Sequence, residues 1–343
     1  MRIVFVAGRR LEAWPDIERL ESGSVDAHPS RFRSGVDVWV IQTYLRLIHR
    51  LRERGFEPRI AKHFEPGALC VAHRDDLNAY ACGAHRSLVA GVRADRPPLR
   101  VARWSIVQNK LGTPDERERH IPHWPQPGLL GRASERGPVV RRLAYLGRAS
   151  SAPRWYRDPE FARRLQELGV EFVIREDAWH DYRDVDVVIA HRDEAPAMLA
   201  LKPATKLANA WLGGAPAILQ PEPAFEALRR TPLDFLPARG PEEVLDAVRR
   251  LQTGAGLFES MVRNGHDRAR DFSVSAVETA WLEFLADEAA PQWEQWRRAA
   301  PPAPAAWLTF AWMLSIQKLE AKQFRSRLRR ELLALAAHPS GPR

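Results

Sequence analysis

A segment with two lysines in the second half of the chain contains the residue types that bind phosphate groups. It reads Leu201-Lys202-Pro203-Ala204-Thr205-Lys206 and leads into an apolar stretch. Pro203 suits the first turn of a helix, where a missing N–H is tolerated, and the free N–H groups of such a turn attract anions. Thr205 adds a hydroxyl, while Lys202 and Lys206 add positive charge. The segment predicts an anion site suited to a diphosphate, and the alternative is an ordinary helix start with surface lysines.

Two other loops follow apolar runs and carry glycine or charged residues. Gly147-Arg148 follows the run 142–146, and His191-Arg192-Asp193-Glu194 follows the run 185–190. In open α/β sheets, ligands bind beyond the carboxyl ends of the strands. We therefore expect Arg192 to face the same site as Lys206, and the alternative is a solvated surface arginine.

Three residues of the first half are candidate general bases. His73 follows the apolar run 69–72, Asp75 lies two residues further on, and Asp37 stands near the start of a predicted helix. An imidazole or carboxylate at the edge of a cleft can take up a proton during a reaction. Each also has a structural interpretation, because Asp37 can cap the helix and His73 can pack or cap at the strand end.

A proline-rich stretch at 112–138 separates the two halves of the chain. Within it, residues 121–129 include His123, Trp124 and Gln126 among prolines. Such a segment acts as a rigid spacer in many proteins. Alternatively, His123, Trp124 and Gln126 line a ligand cleft.

The composition excludes several classes of protein. Only two cysteines are present, Cys70 and Cys82, which excludes a disulfide framework and a cysteine-based zinc site. No paired carboxylates have the spacing of metal ligands, so we predict no metal and no other cofactor. The opening apolar run stops too early for a signal peptide, and the stretch 305–316 is too short to span a membrane. We predict a cytoplasmic protein.

Most of the positive charge lies at the C-terminal end. The net charge is +9, and residues 295–343 hold nine Lys or Arg against two acids. Because the remainder is nearly neutral, we expect no nucleic-acid partner. Residues 307–330 mix tryptophan and other large apolar residues with this basic run. Such a helix either lies on an anionic membrane, at the inner face, or packs its apolar side on the protein.

The alternation of apolar and helical patterns predicts two parallel sheets. Strands are predicted at 3–6, 58–61, 68–72, 87–92, 104–107, 142–146, 170–174, 185–190 and 217–219. Helices are predicted at 36–54, 159–168, 203–212, 241–251 and from 275 onward. Each half opens with a strand that runs into glycine, which indicates two Rossmann-like domains. We place the domains at 1–135 and 136–274, followed by C-terminal helices with a basic amphipathic tail at 275–343.

The combined pattern resembles the GT-B glycosyltransferases, with a C-terminal domain similar to the group 1 or family 4 enzymes. The first half contributes Ser34-Gly35-Val36, the following helix, and 54–60 (Arg-Gly-Phe-Glu-Pro-Arg-Ile). The second half contributes Tyr145-Leu146-Gly147-Arg148, the strand 182–190, the segment 206–218 and the helical 261–281. These stretches have the family's order and together cover most of residues 1–285.

The resemblance implies a fold and a set of site residues. The fold would be two Rossmann-like domains that face a central cleft, with C-terminal helices. The residues around the donor diphosphate would be Gly147, Arg148, Arg192, Thr205 and Lys206, with Glu222 on the ribose or sugar hydroxyls. Gly35, His123 and Trp124 would lie on the acceptor side or in the cleft. The acidic residue that usually precedes the glycine turn is absent, and Asn209 and Trp211 stand in that helix instead, so the donor sugar stays open.

The implied activity is transfer of a sugar from a nucleotide-diphosphate-sugar to an acceptor, such as a cell-surface glycan, a glycolipid or a small metabolite. An inverting enzyme would need a base from among Asp37, His73 and Asp75, whereas a retaining enzyme would not. Two alternatives remain open. One is a nucleotide-sugar epimerase of the same fold, and the other is a non-catalytic membrane or nucleic-acid adaptor that uses the basic tail.

Overall fold

The computed structural model describes residues 1–109, 116–299 and 302–337, and these residues form two compact units. The first unit contains Met1–Trp124, Leu201–Pro203 and Val274–Arg330. The second unit contains Pro125–Ala200, Ala204–Ser273 and, among the described residues, 331–337. The chain thus leaves the first unit inside the proline-rich stretch, re-enters it briefly at Leu201–Pro203, and returns to it at Val274.

The first unit is built on a parallel sheet. Within the described residues its order is β2-β1-β3-β4-β5-β6. The strands are β1 Arg2–Val6, β2 Glu57–Ala61, β3 Leu69–His73, β4 Leu88–Val92, β5 Trp104–Val107 and β6 Glu118–His120. The middle strands are buried along their whole length, as their continuous apolar sequences indicate. The first five strands confirm the prediction, whereas the short polar edge strand β6 gave no apolar signal.

The second unit repeats this arrangement. Its parallel sheet has the order β11-β10-β9-β7-β8 in the described part of the chain. The strands are β7 Arg142–Leu146, β8 Glu171–Arg175, β9 Val187–Ala190, β10 Ala217–Leu219 and β11 Leu236–Pro237. In both sheets the chain starts in an inner strand, moves outward to one side, and then crosses to the other side. The strand order therefore reverses between β1 and β3 in the first unit and between β7 and β9 in the second.

Helices cover the sheets. They are α1 Ser22–Ala27, α2 Gln42–Glu53, α3 Pro159–Glu167, α4 Pro196–Leu199, α5 Thr205–Leu212, α6 Pro223–Leu228, α7 Pro241–Thr253, α8 Leu257–Ala269, α9 Val274–Leu282, α10 Ala290–Ala299 and α11 Ala303–Ala337. Local signals explain the boundaries of α3: the Asp158 carboxylate accepts the Glu160 N–H at 3.0 Å, Pro159 occupies the first turn, and Gly169 adopts φ +72° just after the helix. Helix α5 begins at Thr205, so Pro203 lies before the helix and not in its first turn as predicted.

The core of the first unit combines sequence segments that are far apart. Phe5 from β1, Leu45 from α2 and Trp281 from α9 belong to one apolar cluster and are fully buried. The indole of Trp104 packs edge-on against Phe284, with ring centroids 5.5 Å apart. The C-terminal helices therefore supply part of the core that the N-terminal strands need.

A buried carboxylate fixes the start of the second sheet. Asp186, which precedes β9, has no exposed surface. It accepts hydrogen bonds from Arg132 at 2.7 Å, from Arg136 at 2.7 Å, and from the backbone N–H groups of Arg141 and Arg142 at 2.9 Å. Burial raises the pKa of Asp186, but these hydrogen bonds outweigh it and lower the pKa overall. The charged carboxylate thus ties the segment before β7 to the start of β9.

Candidate functional site

The carboxyl ends of β7 and β9 form the point where the order of the second sheet reverses. Gly147 follows β7, and His191-Arg192 follow β9. The N-terminal turn of α5 reaches the same place, because the Lys206 ammonium donates a hydrogen bond to the Leu146 carbonyl at the end of β7. Ligands of doubly wound sheets bind at such a reversal. The structure thus brings Gly147, Arg192 and Lys206 together.

Lys206 is the central cation of this cluster. Its Nζ lies 4.4 Å from the centroid of the Tyr145 ring, within the range of a cation–π contact. Burial, and after it the positive charge of Arg192, lower the pKa of Lys206 to about 7, and Glu222 acts in the opposite direction. The amine is therefore only partly protonated at neutral pH, and an arriving anion would favour the ammonium form.

Gly147 leaves room for the Lys206 side chain. A Cβ at position 147 would lie 2.9 Å from Lys206 Nζ and 3.1 Å from the Tyr145 hydroxyl oxygen. Any other residue would therefore displace the amine from its position over the ring. Arg148, the next residue, is exposed.

Arg192 and Glu222 form an ion pair beside Lys206. The Arg192 guanidinium donates to Glu222 Oε2, and the side chains are 12% and 0% exposed. The Arg192 N–H also donates to Gln220 Oε1 at 2.8 Å. Glu222 stands at the N-cap position of α6, where its charge is favourable. The carboxylate predicted to bind sugar hydroxyls thus holds a guanidinium next to the amine.

Thr205 and Lys202 differ in their surroundings. Thr205 is the first residue of α5, and its Oγ1 is buried with no hydrogen-bond partner among the described residues. Such a hydroxyl is available to a ligand. Lys202 instead pairs with Asp95 in the first unit, with Nζ 3.0 Å from Oδ2. Of the two lysines predicted to flank the anion, Lys206 therefore lies in the cluster and Lys202 has a carboxylate partner elsewhere.

His191 has a structural role beside this cluster. Its Nε2 donates to the Ala238 carbonyl at 2.7 Å, so its Nδ1 accepts from the Tyr156 hydroxyl at 2.9 Å. Burial lowers the pKa of His191 to about 4. The neutral imidazole therefore connects β9 to Tyr156 and to the residue after β11.

The first unit has a second polar cluster at the reversal between β1 and β3. His73, at the end of β3, is 1% exposed, and its Nδ1 accepts the Asp75 N–H at 3.2 Å. A Cβ at Gly35 would lie 2.8 Å from His73 Nε2. Burial lowers the pKa of His73. The structure thus joins two predicted residues, Gly35 and His73, and holds the imidazole neutral.

The two carboxylates after His73 have opposite surroundings. Asp75 contacts Arg96 with both oxygens, at 2.9 Å each, and is half exposed. Burial raises the pKa of Asp75, but Arg96, His73 and Arg74 together outweigh this and lower it overall. Burial and the charge of Asp75 raise the pKa of Asp76 to about 6. Asp76 is thus tuned for proton transfer near neutrality, and it was not among the residues predicted from the sequence.

Gly8, immediately after Ala7 at the end of β1, leaves room for Asp76. A Cβ at Gly8 would lie 2.5 Å from Asp76 Oδ1, and φ is +53° there, which favours glycine. Asp76 Oδ2 is buried and has no hydrogen-bond partner in the described part of the chain. The signal that could have identified Asp76 is an acidic residue after β3 combined with a strand-end glycine after β1.

We expect Asp76→Asn to change how stability depends on pH. The pKa of Asp76 in the fold, about 6, exceeds the ordinary 3.8. The unfolded chain therefore releases this proton first, and wild-type stability falls as pH rises through this interval, by about 1–3 kcal/mol. The Asn variant should lose this decline in urea unfolding at pH 4.5 and 7. The exposed Asp246→Asn variant should keep it, and an unchanged decline in Asp76→Asn would contradict the assignment.

Asp37 helps to cap the helical segment 35–41, which runs directly into α2. It is fully buried, and its carboxylate accepts from Arg10 Nε at 2.7 Å, Trp14 Nε1 at 2.9 Å and the Ser34 N–H at 2.8 Å. Ser34 Oγ in turn accepts the Asp37 N–H at 3.2 Å. This reciprocal pattern is a capping box. Both oxygens are occupied, which favours the capping interpretation of Asp37 over a general base.

His123 and Trp124 pack inside the first unit. Trp124 is 1% exposed, and its Nε1 donates to Thr43 Oγ1 at 2.8 Å. The His123 ring lies 4.4 Å from the Trp39 ring, centroid to centroid, and burial lowers its pKa to about 4. Trp124 therefore has no exposed face for an acceptor, whereas His123 is partly exposed. Part of the proline-rich stretch, residues 112–115, lies outside the described residues.

Comparisons with known proteins place the fold. No family model and no curated protein sequence matches the chain. A solved glycosyltransferase involved in avilamycin A biosynthesis matches 87% of this chain and 98% of its own, with 12% identity and a TM-score of 0.50. Sucrose-phosphate synthase from Thermosynechococcus elongatus matches 84% of this chain and 99% of its own, with 12% identity and a TM-score of 0.51.

The chain has the GT-B fold. Two Rossmann-like α/β units with C-terminal helices confirm the predicted fold class. At this level of identity, the likeness concerns the fold. In this GT-B chain, the clusters around Lys206 and around His73 occupy equivalent positions in their units, each at the reversal of strand order.

Proposed function

We propose that the chain is a glycosyltransferase that uses a nucleotide-diphosphate-sugar as donor. The observation that carries this proposal is the Lys206–Arg192 pair of cations at the sheet reversal of the second unit, beside the N-terminal turn of α5. Anions bind where helix N–H groups and cationic side chains converge. Gly147, Arg148, Thr205 and Glu222 complete the proposed donor site.

The proposed reaction is a displacement at the anomeric carbon. An acceptor oxygen bonds to that carbon, the bond between the carbon and the diphosphate oxygen breaks, and the diphosphate leaves with the electron pair. Negative charge grows on the leaving oxygen, and Lys206, Arg192 and the helix N-terminus stabilise it. The protein's own cations carry this role in the proposal, so it includes no metal cofactor.

The acceptor would lose its proton to a group of the first unit if the reaction inverts the anomeric carbon. His73 is buried with its pKa lowered, and Asp76 has a pKa raised to about 6. A buried neutral imidazole and a carboxylate with this raised pKa can each accept a proton from an acceptor hydroxyl. We propose His73 and Asp76 as candidate bases for an acceptor that is a small molecule or already carries a sugar.

We expect the double variant Arg192→Met/Glu222→Gln to weaken donor binding by about 10- to 100-fold, because one charge-assisted contact to the diphosphate is lost. Changing both residues avoids an uncompensated buried carboxylate. Calorimetry with UDP-, GDP- and dTDP-sugars measures the affinity, and the exposed Arg239→Met variant is the control.

Product analysis separates the proposal from its alternatives. Wild-type protein incubated with its donor should release nucleoside diphosphate, slowly with water and faster when an acceptor is added. Release of an epimerised free sugar without transfer would identify an epimerase. If the protein binds none of the nucleotide-sugars, the proposed function is ruled out.

A further inference from the structure

Helix α11 is fixed to the first unit by one face. Leu314, Gln317 and Ala321 are buried there. Gln317 accepts the Arg100 N–H at 2.9 Å and donates to the Leu77 carbonyl at 2.9 Å. Glu320 pairs with the Arg100 side chain at 2.7 Å. The orientation of the helix is therefore set, and its opposite face is turned to solvent.

The part of α11 that is turned to solvent carries large apolar side chains. Trp307, Leu308, Trp312 and Leu319 are 54%, 62%, 61% and 56% exposed. At 3.6 residues per turn, Leu308, Trp312 and Leu319 lie within about 40° of one another around the axis. Outside α11, only Tyr80 and Leu130 are exposed large apolar residues in the described parts of the chain. Such a concentration marks an interaction surface.

The exposed surface of the same helix is cationic. Its six basic residues are exposed, and they are Lys318, Lys322, Arg325, Arg327, Arg329 and Arg330. Its two acids point to other partners: Glu320 binds Arg100, and Glu331 accepts the Ala197 N–H at 2.8 Å. The solvent-facing side of α11 thus combines tryptophan and leucine with positive charge.

We propose that this solvent-facing side of α11 docks the protein on an anionic lipid bilayer. Tryptophan and leucine side chains would enter the headgroup region, and the lysines and arginines would contact lipid phosphates. Charge complementarity favours this occupant over a second copy of the chain, because two such faces would bring like charges together. No helix in the described segments is both long and apolar enough to cross a bilayer.

Vesicle flotation tests the docking surface. Wild-type protein should float with phosphatidylglycerol-containing vesicles, and added salt should release it. Two triple variants of α11 should each lower vesicle binding by about tenfold or more. The apolar variant is Leu308→Ser/Trp312→Ser/Leu319→Ser, and the basic variant is Lys322→Gln/Arg325→Gln/Arg329→Gln. Two controls lie outside α11 and should bind like wild type. Tyr80→Ser removes an apolar side chain that is 89% exposed, and Arg239→Gln/Arg270→Gln removes two exposed arginines.

Three results would overturn the proposal. The first is equal binding to vesicles of phosphatidylcholine alone, and the second is unchanged flotation of both α11 variants. The third is a wild-type dimer that the apolar variant converts to a monomer in sedimentation, which would assign the face to a second copy. A thermal melt of each variant checks that it is folded. We expect each variant to fold, because all substituted side chains are solvent-exposed. Because donor binding is measured separately, the docking proposal and the glycosyltransferase proposal can fail independently.

Discussion

Replacing Lys206 with methionine should weaken nucleotide-sugar binding by about 10- to 100-fold, because a charge-assisted contact to the diphosphate is lost. Donor binding should also cease to depend on pH near neutrality. Burial lowers the pKa of the free amine to about 7, and a bound diphosphate would raise it again. Wild-type binding should therefore take up a fraction of a proton at pH 8, which the methionine variant cannot do.

Loss of stability should not account for weaker binding by the Lys206→Met variant. The pKa of Lys206 in the fold lies below its ordinary value of 10.5. The folded chain therefore binds fewer protons than the unfolded chain between about pH 7 and 10.5, and the contribution of Lys206 to stability rises with pH in that window and is lowest below it. The methionine variant removes this penalty and should be at least as stable at neutral pH.

Calorimetry in two buffers with different ionisation enthalpies measures the affinity and the proton uptake together. Lys62→Met is the control, because that lysine is exposed and pairs with Glu12 in the first unit. It should match wild type in both quantities. Unchanged affinity and unchanged proton uptake in Lys206→Met would remove Lys206 from the donor site.

Asp186→Asn should lower the free energy of unfolding by about 3–5 kcal/mol. The amide would leave Arg132 and Arg136, whose side chains are 8% and 24% exposed, without their shared carboxylate. It would also turn an NH₂ group toward the N–H donors of Arg141 and Arg142. Urea unfolding at pH 7 measures the loss.

A neighbouring carboxylate provides the control. Asp184 pairs with Arg142 and Arg175 but is 38% exposed, so Asp184→Asn should change stability by about 1 kcal/mol or less. The pKa of Asp186 is lowered in the fold, so its contribution is present above the ordinary pKa and disappears as pH falls through the folded pKa. The two variants should therefore converge in strongly acidic urea titrations. An equal effect of both substitutions at pH 7 would contradict the role of burial.

The strands and the strand-end residues could be predicted because their signals are local. A strand buried on both faces reads as an apolar run, and β1, β3, β7 and β9 all have this form. Once the strands are located, the alternation with helices makes the sheets parallel. The residues that follow the strands, such as Gly147 and Arg192, then fall at one edge.

The partners of individual side chains depend on distant parts of the chain. Lys202 and Lys206 look alike in sequence, yet Lys202 meets Asp95 while Lys206 folds back over Tyr145. Asp75 and Asp76 are adjacent in sequence, yet the pKa of Asp75 is lowered and that of Asp76 is raised. The difference arises because Asp75 contacts Arg96, whereas Asp76 is buried beside Gly8. Trp124 sits among prolines, which indicates a surface linker, but Thr43 and the surrounding core bury it. These differences arise from tertiary contacts that a local pattern does not contain.

The way the C-terminal helices complete the first unit sets an order of events during synthesis. Trp281 is part of the same buried cluster as Phe5. A nascent chain emerging from the ribosome would therefore hold an unfinished N-terminal sheet while the whole second Rossmann-like unit is translated. During this interval a chaperone that binds apolar surface would find the unfinished first unit exposed. A nonsense codon shortly before Trp281 would yield a chain in which the second sheet has its full core and the first sheet does not.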